Sequence, residues 1–320
     1  MAQMIETRFT QLVGAAAPIQ VASMPGVSTV ELVAAVANAG AVGMLGASMF
    51  SAQQLDAELA QLATATSGVF GVNFLMPFLD PKCVAIAARR ARIVEFFYGA
   101  PERALVDEAH ALGALVSWQV GSIEEALAAE SAGCDFVIAQ GSEAGGHVRG
   151  QSSLLPLLSS VLDALRIPVL AAGGIATARD LAAVLACGAD GARIGTRFIA
   201  CAESGAHPDY VKALLAASAA DTCLTEAFSV GWPDAPHRVL RSAVEAAAAA
   251  TDAVVGEIEI AGNAVAIPRF SPIVPSAATS GNIAAMALYA GESVTHVRTV
   301  RPAAAIVAEL VAGAERLHRR

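Results

Sequence analysis

The segment AQGSEAGGHVRG, residues 139–150, places a histidine directly after two glycines. The neutral imidazole of His147 can accept a proton near pH 7, and its cation can stabilise a developing negative charge. Gly145 and Gly146 have no Cβ atom, so their backbone could lie flat against an aromatic cofactor. The alternative is an ordinary surface-loop histidine. Glu143 is a second ionisable candidate, expected to brace the loop or face solvent, and Arg149 is expected to face solvent.

The remaining histidines lack a glycine context and are interpreted as ordinary residues of helices, loops or the C-terminal tail: His110, His207, His237, His296 and His318.

Two further segments, AAGGIATARD (171–180) and RIGTRF (193–198), place glycines directly after a short apolar run. Backbone N–H groups beside a glycine can approach an anion closely, and a helix N-terminus favours negative charge. The glycines of one such loop could simply permit a tight turn. Two loops on adjacent predicted strands favour a phosphate site, formed by Gly173, Gly174, Gly195 and Thr196.

Neutral amide side chains end three of the predicted strands: Asn73, Gln119 and Gln140. An amide both donates and accepts hydrogen bonds, which suits the edge of a heterocycle such as an isoalloxazine or a pyrimidine. Each amide alone could be a polar strand end. Three of them at one mouth, beside a phosphate loop, indicate a phosphorylated ring cofactor.

One local pattern recurs and would position these residues: a helical stretch, a glycine and a short apolar run, as in AVANAGAVGML and AVLACGADGARIG. Glycine supplies the left-handed conformation that ends a helix, and a uniformly apolar run is typical of a parallel strand buried on both faces. Strands are predicted at 18–22, 41–45, 69–73, 92–97, 114–119, 135–139, 168–172 and 191–194. Helices are predicted at 29–39, 51–65, 101–112, 122–132, 153–165 and 177–187, with Ser28, Ser122 and Thr177 as N-caps.

Eight strands that alternate with helices predict an α/β fold of the (β/α)8 TIM-barrel type. The rival is a doubly wound open sheet, but no GxGxxG motif follows the first strand. After residue 205 the pattern changes to helices around the loop VGWPDAPHR, a hairpin at 257–267 with a Gly-Asn turn, and helices at IAAMALYAGES and 302–317. We expect residues 1–205 to form the barrel, completed by 271–320, with 206–270 as a small, mainly helical cap subdomain.

Composition excludes several function classes. The 320 residues are 55% hydrophobic but only 5% aromatic, so the core is built from small aliphatic side chains, and the net charge is −9. No basic run is interleaved with aromatic residues, which argues against nucleic-acid binding. Five scattered cysteines without a CxxC pair disfavour disulfides and zinc and fit a reducing cytoplasm. No signal peptide, membrane span, G-x-S-x-G, HExxH or Walker A motif is found.

Taken together, GSEAGGH, PVLAAGGIATARDLAAVLACGADGARIGTRF and MALYAGESV resemble the nitronate monooxygenase family of FMN-dependent barrel enzymes. QVASMPGVSTVELVAAVANAGAVGMLGA and FGVNFLMPF resemble the opening strands of that family. The resemblance runs along nearly the whole chain, and its specificity comes from the ordered set of motifs.

The resemblance implies FMN in the barrel mouth and a catalytic histidine at His147. It implies that Asn73, Gln119 and Gln140 bond the ring edge or ribityl chain, and that Gly173, Gly174, Gly195 and Thr196 hold the phosphate. It further implies that Ala22, Ser23 and Met24 face the flavin and that Gly145 and Gly146 line it. The first loop departs from the family, since Pro25 follows Met24 rather than preceding it, and Val148 follows the histidine. Both departures lie near the expected substrate space.

The activity implied is oxidation of alkyl nitronates, with dioxygen as the final electron acceptor. His147 would either remove the α-proton of a neutral nitroalkane or stabilise the bound anion. EAGGH and GTRFIACAESGAHPDY also resemble the FMN-dependent enoyl-acyl-carrier-protein reductases, which use a reduced nicotinamide. A third alternative is an FMN-free, phosphate-binding isomerase or binding module. The physiological substrate, a monovalent cation and the oligomeric state, with a homodimer as one option, are left open.

Overall fold

The computed structural model describes residues 5–48, 50–260 and 263–319. Eight parallel strands form its central sheet, each within two residues of the predicted position: β1 (Ile19–Val21), β2 (Gly43–Gly46), β3 (Phe70–Leu75), β4 (Ile93–Phe97), β5 (Leu115–Val120), β6 (Phe136–Gln140), then, after the two-residue β7 (Gly146–His147), β8 (Val169–Ala172) and β9 (Gly191–Ile194). All eight are almost wholly buried, as the apolar runs predicted.

The sheet curls into a barrel. Its strand order is β1-β9-β8-β6-β5-β4-β3-β2, and a parallel bridge between Gln20 and Val42 brings the two ends together. The N–H of Val21 donates to the Val42 carbonyl at 2.9 Å, and the Val42 N–H donates to the Ile19 carbonyl at 2.9 Å. The predicted (β/α)8 TIM barrel is therefore confirmed, and the open doubly wound sheet is wrong.

Helices cover the outside of the barrel: α1 (Arg8–Val13), α2 (Val30–Asn38), α3 (Ala52–Ala65), α4 (Pro81–Arg90), α5 (Arg103–Ala111), α6 (Ile123–Ala132), α7 (Leu154–Ala164) and α8 (Ala178–Ala186). Each presents an apolar stripe to the strands; α3, for example, buries Leu55, Leu59 and Leu62 at helical spacing. Ser122 and Thr177 cap α6 and α8 as predicted.

The predicted cap of α2 is wrong by one residue. Thr29 accepts the hydrogen bond from the Leu32 N–H, while the Ser28 hydroxyl accepts from the Met24 N–H and donates to the Ala22 carbonyl. Ser28 therefore holds the loop after β1, where the site lies, because a hydroxyl one residue before the cap can reach back to the preceding turn.

Residues after the barrel build a second hydrophobic core, which includes Ile199, Tyr210, Phe228, Val239 and Met286. Its elements are α9 (Thr196–Ile199), α10 (Pro208–Ala216), β10 (Thr222–Thr225), β11 (His237–Leu240), α11 (Arg241–Ala249), β12 (Val254–Ile260), β13 (Asn263–Pro268) and β14 (Thr279–Gly281). The last helix, α12 (Ala303–His318), returns to the barrel and packs on α8 and α2. The division of the chain into barrel and cap subdomain stays a prediction.

Two local predictions in this region are wrong. Segment 206–250 contains the antiparallel pair β10–β11 as well as helices, and the stretch 283–293 forms only short 3-10 turns at Ile283–Ala285 and Glu292–His296. Contacts with distant segments, rather than the local sequence pattern, decide the conformation of both stretches. The hairpin β12–β13 is confirmed, although its predicted Gly262 turn residue lies outside the described residues.

A buried polar layer crosses the barrel interior. The Glu95 carboxylate, fully buried on β4, pairs with the Arg193 guanidinium of β9. It also accepts a hydrogen bond from the Asn73 amide at 2.8 Å and one from the Ser117 hydroxyl at 3.5 Å. Four strands are thus joined through one carboxylate, immediately below the barrel mouth.

Replacing Glu95 by alanine leaves the Arg193 guanidinium buried without its counter-ion. We expect Glu95→Ala to lower the free energy of unfolding by about 3–5 kcal/mol, measured by urea denaturation. The double variant Glu95→Gln/Arg193→Gln removes both charges. Its loss of unfolding free energy should be smaller than the sum of the losses for Glu95→Gln and Arg193→Gln. If Glu95→Ala and the wild type have the same midpoint of urea denaturation, the pair does not stabilise the barrel.

Candidate active site

One cavity lies at the carboxyl ends of the barrel strands, beneath the second core. The structure brings together around it every residue that the sequence proposed for the site: Ala22, Ser23, Met24, Asn73, Gln119, Gln140, Gly145, Gly146, His147, Gly173, Gly174, Gly195 and Thr196. This convergence follows from the parallel barrel, because each strand delivers its last residue to the same rim.

The three strand-end amides differ in what they bond. The Asn73 amide donates to Glu95, and its oxygen accepts from the Ser23 hydroxyl at 3.2 Å. Gln140 donates to the carbonyl of His147 at 2.9 Å and accepts from the Arg149 N–H at 3.3 Å. Gln119 has no side-chain hydrogen bond to any residue within the described ranges. Gln140 therefore shapes the histidine loop, whereas Gln119 keeps its full bonding capacity for a ligand.

The glycine loop after β8 has the conformation expected of an anion cradle. Gly173 and Gly174 have positive φ angles of 107° and 70°, a region that favours glycine. Among the described residues, the N–H groups of Gly174 and Ile175 meet no acceptor. Across the cavity, the Thr196 hydroxyl accepts from the Gly291 N–H at 3.0 Å. Two adjacent unpaired backbone donors are what a phosphate group requires.

The histidine loop is pressed against a distant segment of the chain. A Cβ atom on Gly145 would lie 2.5 Å from the Gly291 nitrogen, so only glycine fits this contact. The Glu292 N–H donates to the Glu143 carbonyl at 3.0 Å. The Glu143 carboxylate accepts from the Leu154 N–H at about 3 Å, which makes it the loop brace that the sequence offered as one alternative.

His147 lies on β7, which pairs antiparallel with β11 so that His147 faces His237. Its ring stacks on Trp232, with centroids 3.8 Å apart and planes 20° apart. The rings of Tyr98, His237 and Tyr289 surround it at centroid distances between 5.1 and 5.8 Å. His147 is therefore enclosed by aromatic rings rather than facing bulk water.

Enclosure changes the acid–base chemistry of His147. Burial, and secondarily the nearby His237, lower its pKa from 6.5 to about 3, so the ring is neutral at pH 7. Its Nε2 is buried and has no hydrogen-bond partner among the described residues. A buried ring nitrogen without a partner is costly, and a bound ligand would satisfy it.

His237 is a functional-site residue that sequence reasoning missed. It is fully buried, its Nδ1 lies 2.8 Å from the Ala235 carbonyl, and its Nε2 accepts from the Phe228 N–H at 3.2 Å. These partners assign the neutral Nδ1–H tautomer, and burial lowers its pKa. Nothing local in HRVL, which is two polar residues followed by two apolar ones, pairs it with residue 147.

The aromatic enclosure was missed for the same reason. The surrounding rings come from segments far apart in the sequence: Tyr98 follows β4, Trp232 lies in the 226–236 loop and Tyr289 lies in the 286–291 segment. Arg149 is exposed, as expected; it also pairs with Glu125 at 2.6 Å and lies over the Tyr98 ring. In the part of the chain that the structure describes, no His, Cys, Asp and Glu cluster could hold a metal ion, and no helix is long and apolar enough to cross a bilayer.

Comparison with curated proteins gives related enzymes. The chain is 35% identical over 269 residues to a probable nitronate monooxygenase of Staphylococcus saprophyticus, covering 69% of this chain and 76% of that protein. It is 38% identical over 240 residues to a Rhodococcus jostii protein named (3aS,4S,5R,7aS)-5-hydroxy-7a-methyl-1-oxo-octahydro-1H-indene-4-carboxyl-CoA dehydrogenase, covering 74% of this chain and 66% of that one.

Solved structures share the whole fold. FabK from Thermotoga maritima superposes with a TM-score of 0.81 and 28% identity over 98% of both chains. A nitroalkane oxidase from Streptomyces ansochromogenes superposes with a TM-score of 0.78 and 30% identity, covering 98% of this chain and 99% of the other. The family model described as nitronate monooxygenase matches residues 6–88 and 78–313. The chain therefore belongs to the nitronate monooxygenase family of flavin-dependent oxidoreductases.

Proposed function

We propose that this protein oxidises alkyl nitronates with bound FMN and dioxygen, and that His147 is its catalytic residue. The observation that carries the proposal is the neutral, aromatic-enclosed imidazole of His147, whose Nε2 has no partner among the described residues, on the rim shared with two glycine loops. Membership of a flavin-dependent family supports the oxidation of a nitro compound.

The residues present fit FMN. The unpaired N–H groups of Gly174 and Ile175 would bond the phosphate, together with the backbone at Gly195 and Thr196. The Gln119 amide would bond the ring edge or the ribityl chain, and Gly146 leaves open space where a side chain would stand. Bound in this mouth, FMN supplies an electron acceptor that dioxygen can reoxidise.

The protonation state of His147 narrows its role. A ring with a pKa of about 3 carries no charge at pH 7 and is a weak base, which disfavours removal of a proton from a neutral nitroalkane. An anion next to the ring favours the protonated imidazole. His147 would therefore bond the nitronate through Nε2 and gain positive character only when the anion is present.

Reduction of an enoyl thioester is the second candidate function. The TM-score of 0.81 to FabK over nearly the whole chain favours it, as does the likeness to a carboxyl-CoA dehydrogenase. The two reactions differ in the electron donor, which is a reduced nicotinamide in one case and the nitronate in the other.

The purified protein should be yellow and release FMN on denaturation. In anaerobic stopped-flow mixing, a nitronate alone should bleach the flavin absorbance within the turnover time, because the substrate itself is the electron donor. Rapid bleaching by NADH or NADPH, with none by nitronate, would favour the enoyl reductase. A colourless protein that takes up no added FMN would contradict both.

Replacing His147 by asparagine should leave the flavin content unchanged, since the phosphate loops are untouched. We expect kcat/KM for the nitronate to fall by about 10²–10³-fold, the usual cost of removing one positioned donor to an anion. The matched control is His296→Asn, which changes an exposed histidine on the short turn at 292–296 and should keep wild-type turnover. Full turnover by His147→Asn would refute the assigned role.

Acid should destabilise the fold through the same histidines. The folded-state pKa values of His147 and His237 lie below the ordinary 6.5, so the unfolded chain binds more protons. The contribution of these two histidines to the free energy of unfolding is therefore fully present above pH 6.5 and is lost as the pH falls from there towards 3. His147→Asn should unfold at a lower pH than wild type in an acid titration followed by circular dichroism, while His296→Asn should follow wild type. Coincident curves for His147→Asn and wild type would contradict this.

A further inference from the structure

A second cavity, of about 880 Å3, opens from the site and is here called the apolar groove. It shares five residues with the first cavity: Pro25, Leu75, His147, Val274 and Tyr289. One wall is the barrel rim with α2 and α3, and the other is the 230–232 loop with the 271–274 segment. His147 therefore lines both cavities, so a molecule in the groove would contact the same side chain as a molecule in the first cavity.

The walls of the groove are mainly apolar, with Leu45, Phe50, Phe78, Val230, Trp232, Ile258 and Ile273 among them. Phe78 and Val230 are 42% and 47% exposed, which is high for large apolar side chains. Phe78 also meets Trp232 edge to face at 5.0 Å, so the groove's aromatic surface continues to the ring that stacks on His147. A volume of this size accommodates the apolar part of a drug-sized ligand.

The charges at the groove have one sign. Its acidic lining residues are Glu31, Glu58 and Glu259, and no lysine or arginine of the described ranges lines it. Glu31 and Glu58 lie close enough that their repulsion, added to burial, raises the pKa of Glu58. Such a rim repels phosphate and carboxylate groups.

We propose that the substrate of this site carries a long, uncharged apolar substituent that lies in the apolar groove, and that no anionic carrier enters there. The inference rests on the proposed function and adds the class of substrate. It predicts a preference for large apolar nitronates over small ones, and it disfavours thioesters of a phosphate-bearing carrier in this groove.

Chain length provides the first test. For a homologous series of primary nitronates from nitroethane to nitrodecane, kcat/KM should rise by about fourfold per methylene until the groove is filled, since each buried methylene contributes about 0.8 kcal/mol. Val230→Asp puts a carboxylate in the groove wall and should lower the ratio of kcat/KM for nitrodecane to that for nitroethane by about tenfold or more. Val300→Asp is the matched control, because Val300 is 48% exposed and lies outside the groove, and its ratio should equal wild type. A flat series in the wild type would overturn the proposal.

Binding without chemistry provides the second test. Decanol should bind the purified holoenzyme and change the tryptophan fluorescence, because Trp232 lines the groove. The nitronate of 10-nitrodecanoic acid, whose distal carboxylate would enter the groove, should have a kcat/KM at least about tenfold below that of nitrodecane. Val230→Asp should weaken decanol binding, and Val300→Asp should not. Decanol binding without nitronate oxidation would refute the proposed function alone. Nitronate oxidation without decanol binding, or equal kcat/KM for the nitronates of nitrodecane and 10-nitrodecanoic acid, would refute the groove proposal alone.

Discussion

The antiparallel pairing of Gly146–His147 with His237–Arg238 is the contact on which the site depends. It attaches a barrel loop to the second core and presents His147 to the cavity at a strand position rather than on a free loop. Arg238 strengthens the same junction: it donates to the Ser142 carbonyl at 3.0 Å and pairs with Glu292 at 3.2 Å. Gly145 permits the approach, since any side chain there would meet the backbone at Gly291. A precise position for the imidazole follows from backbone contacts on both sides.

Polar groups near the mouth are divided between scaffold and ligand. Asn73 forms hydrogen bonds with Glu95 and Ser23, and Gln140 forms one with the histidine loop. These two amides therefore hold the walls of the cavity in place. Gln119 and the N–H groups of Gly174 and Ile175 keep unused donors within the described part of the chain. Groups fixed by the fold and groups left open for a ligand are the two components of a preorganised site, because reorganisation on binding is then small.

His147 connects two cavities with different chemistry. The first is lined by glycine backbone and amides, and the second mainly by apolar side chains with carboxylates among them. In the proposals made above, the first cavity holds the cofactor and the second holds the apolar part of the substrate. Trp232 serves both, since one ring stacks on the imidazole and also forms part of the groove wall.

The amino-acid sequence determined the barrel and the glycine-bearing rim, because helix ends, buried strands and tight glycine turns depend on residues close together in the chain. It also placed Asn73, Gln119 and Gln140 at strand ends and His147 on the loop after the sixth predicted strand, and the parallel barrel then had to bring them to one mouth. Only the tertiary structure placed His237, Trp232 and Tyr289 around His147, showed 283–293 to be turns, and revealed the apolar groove. These features are contacts between segments far apart in the chain, and no local pattern specifies which distant surface a strand or aromatic ring will meet.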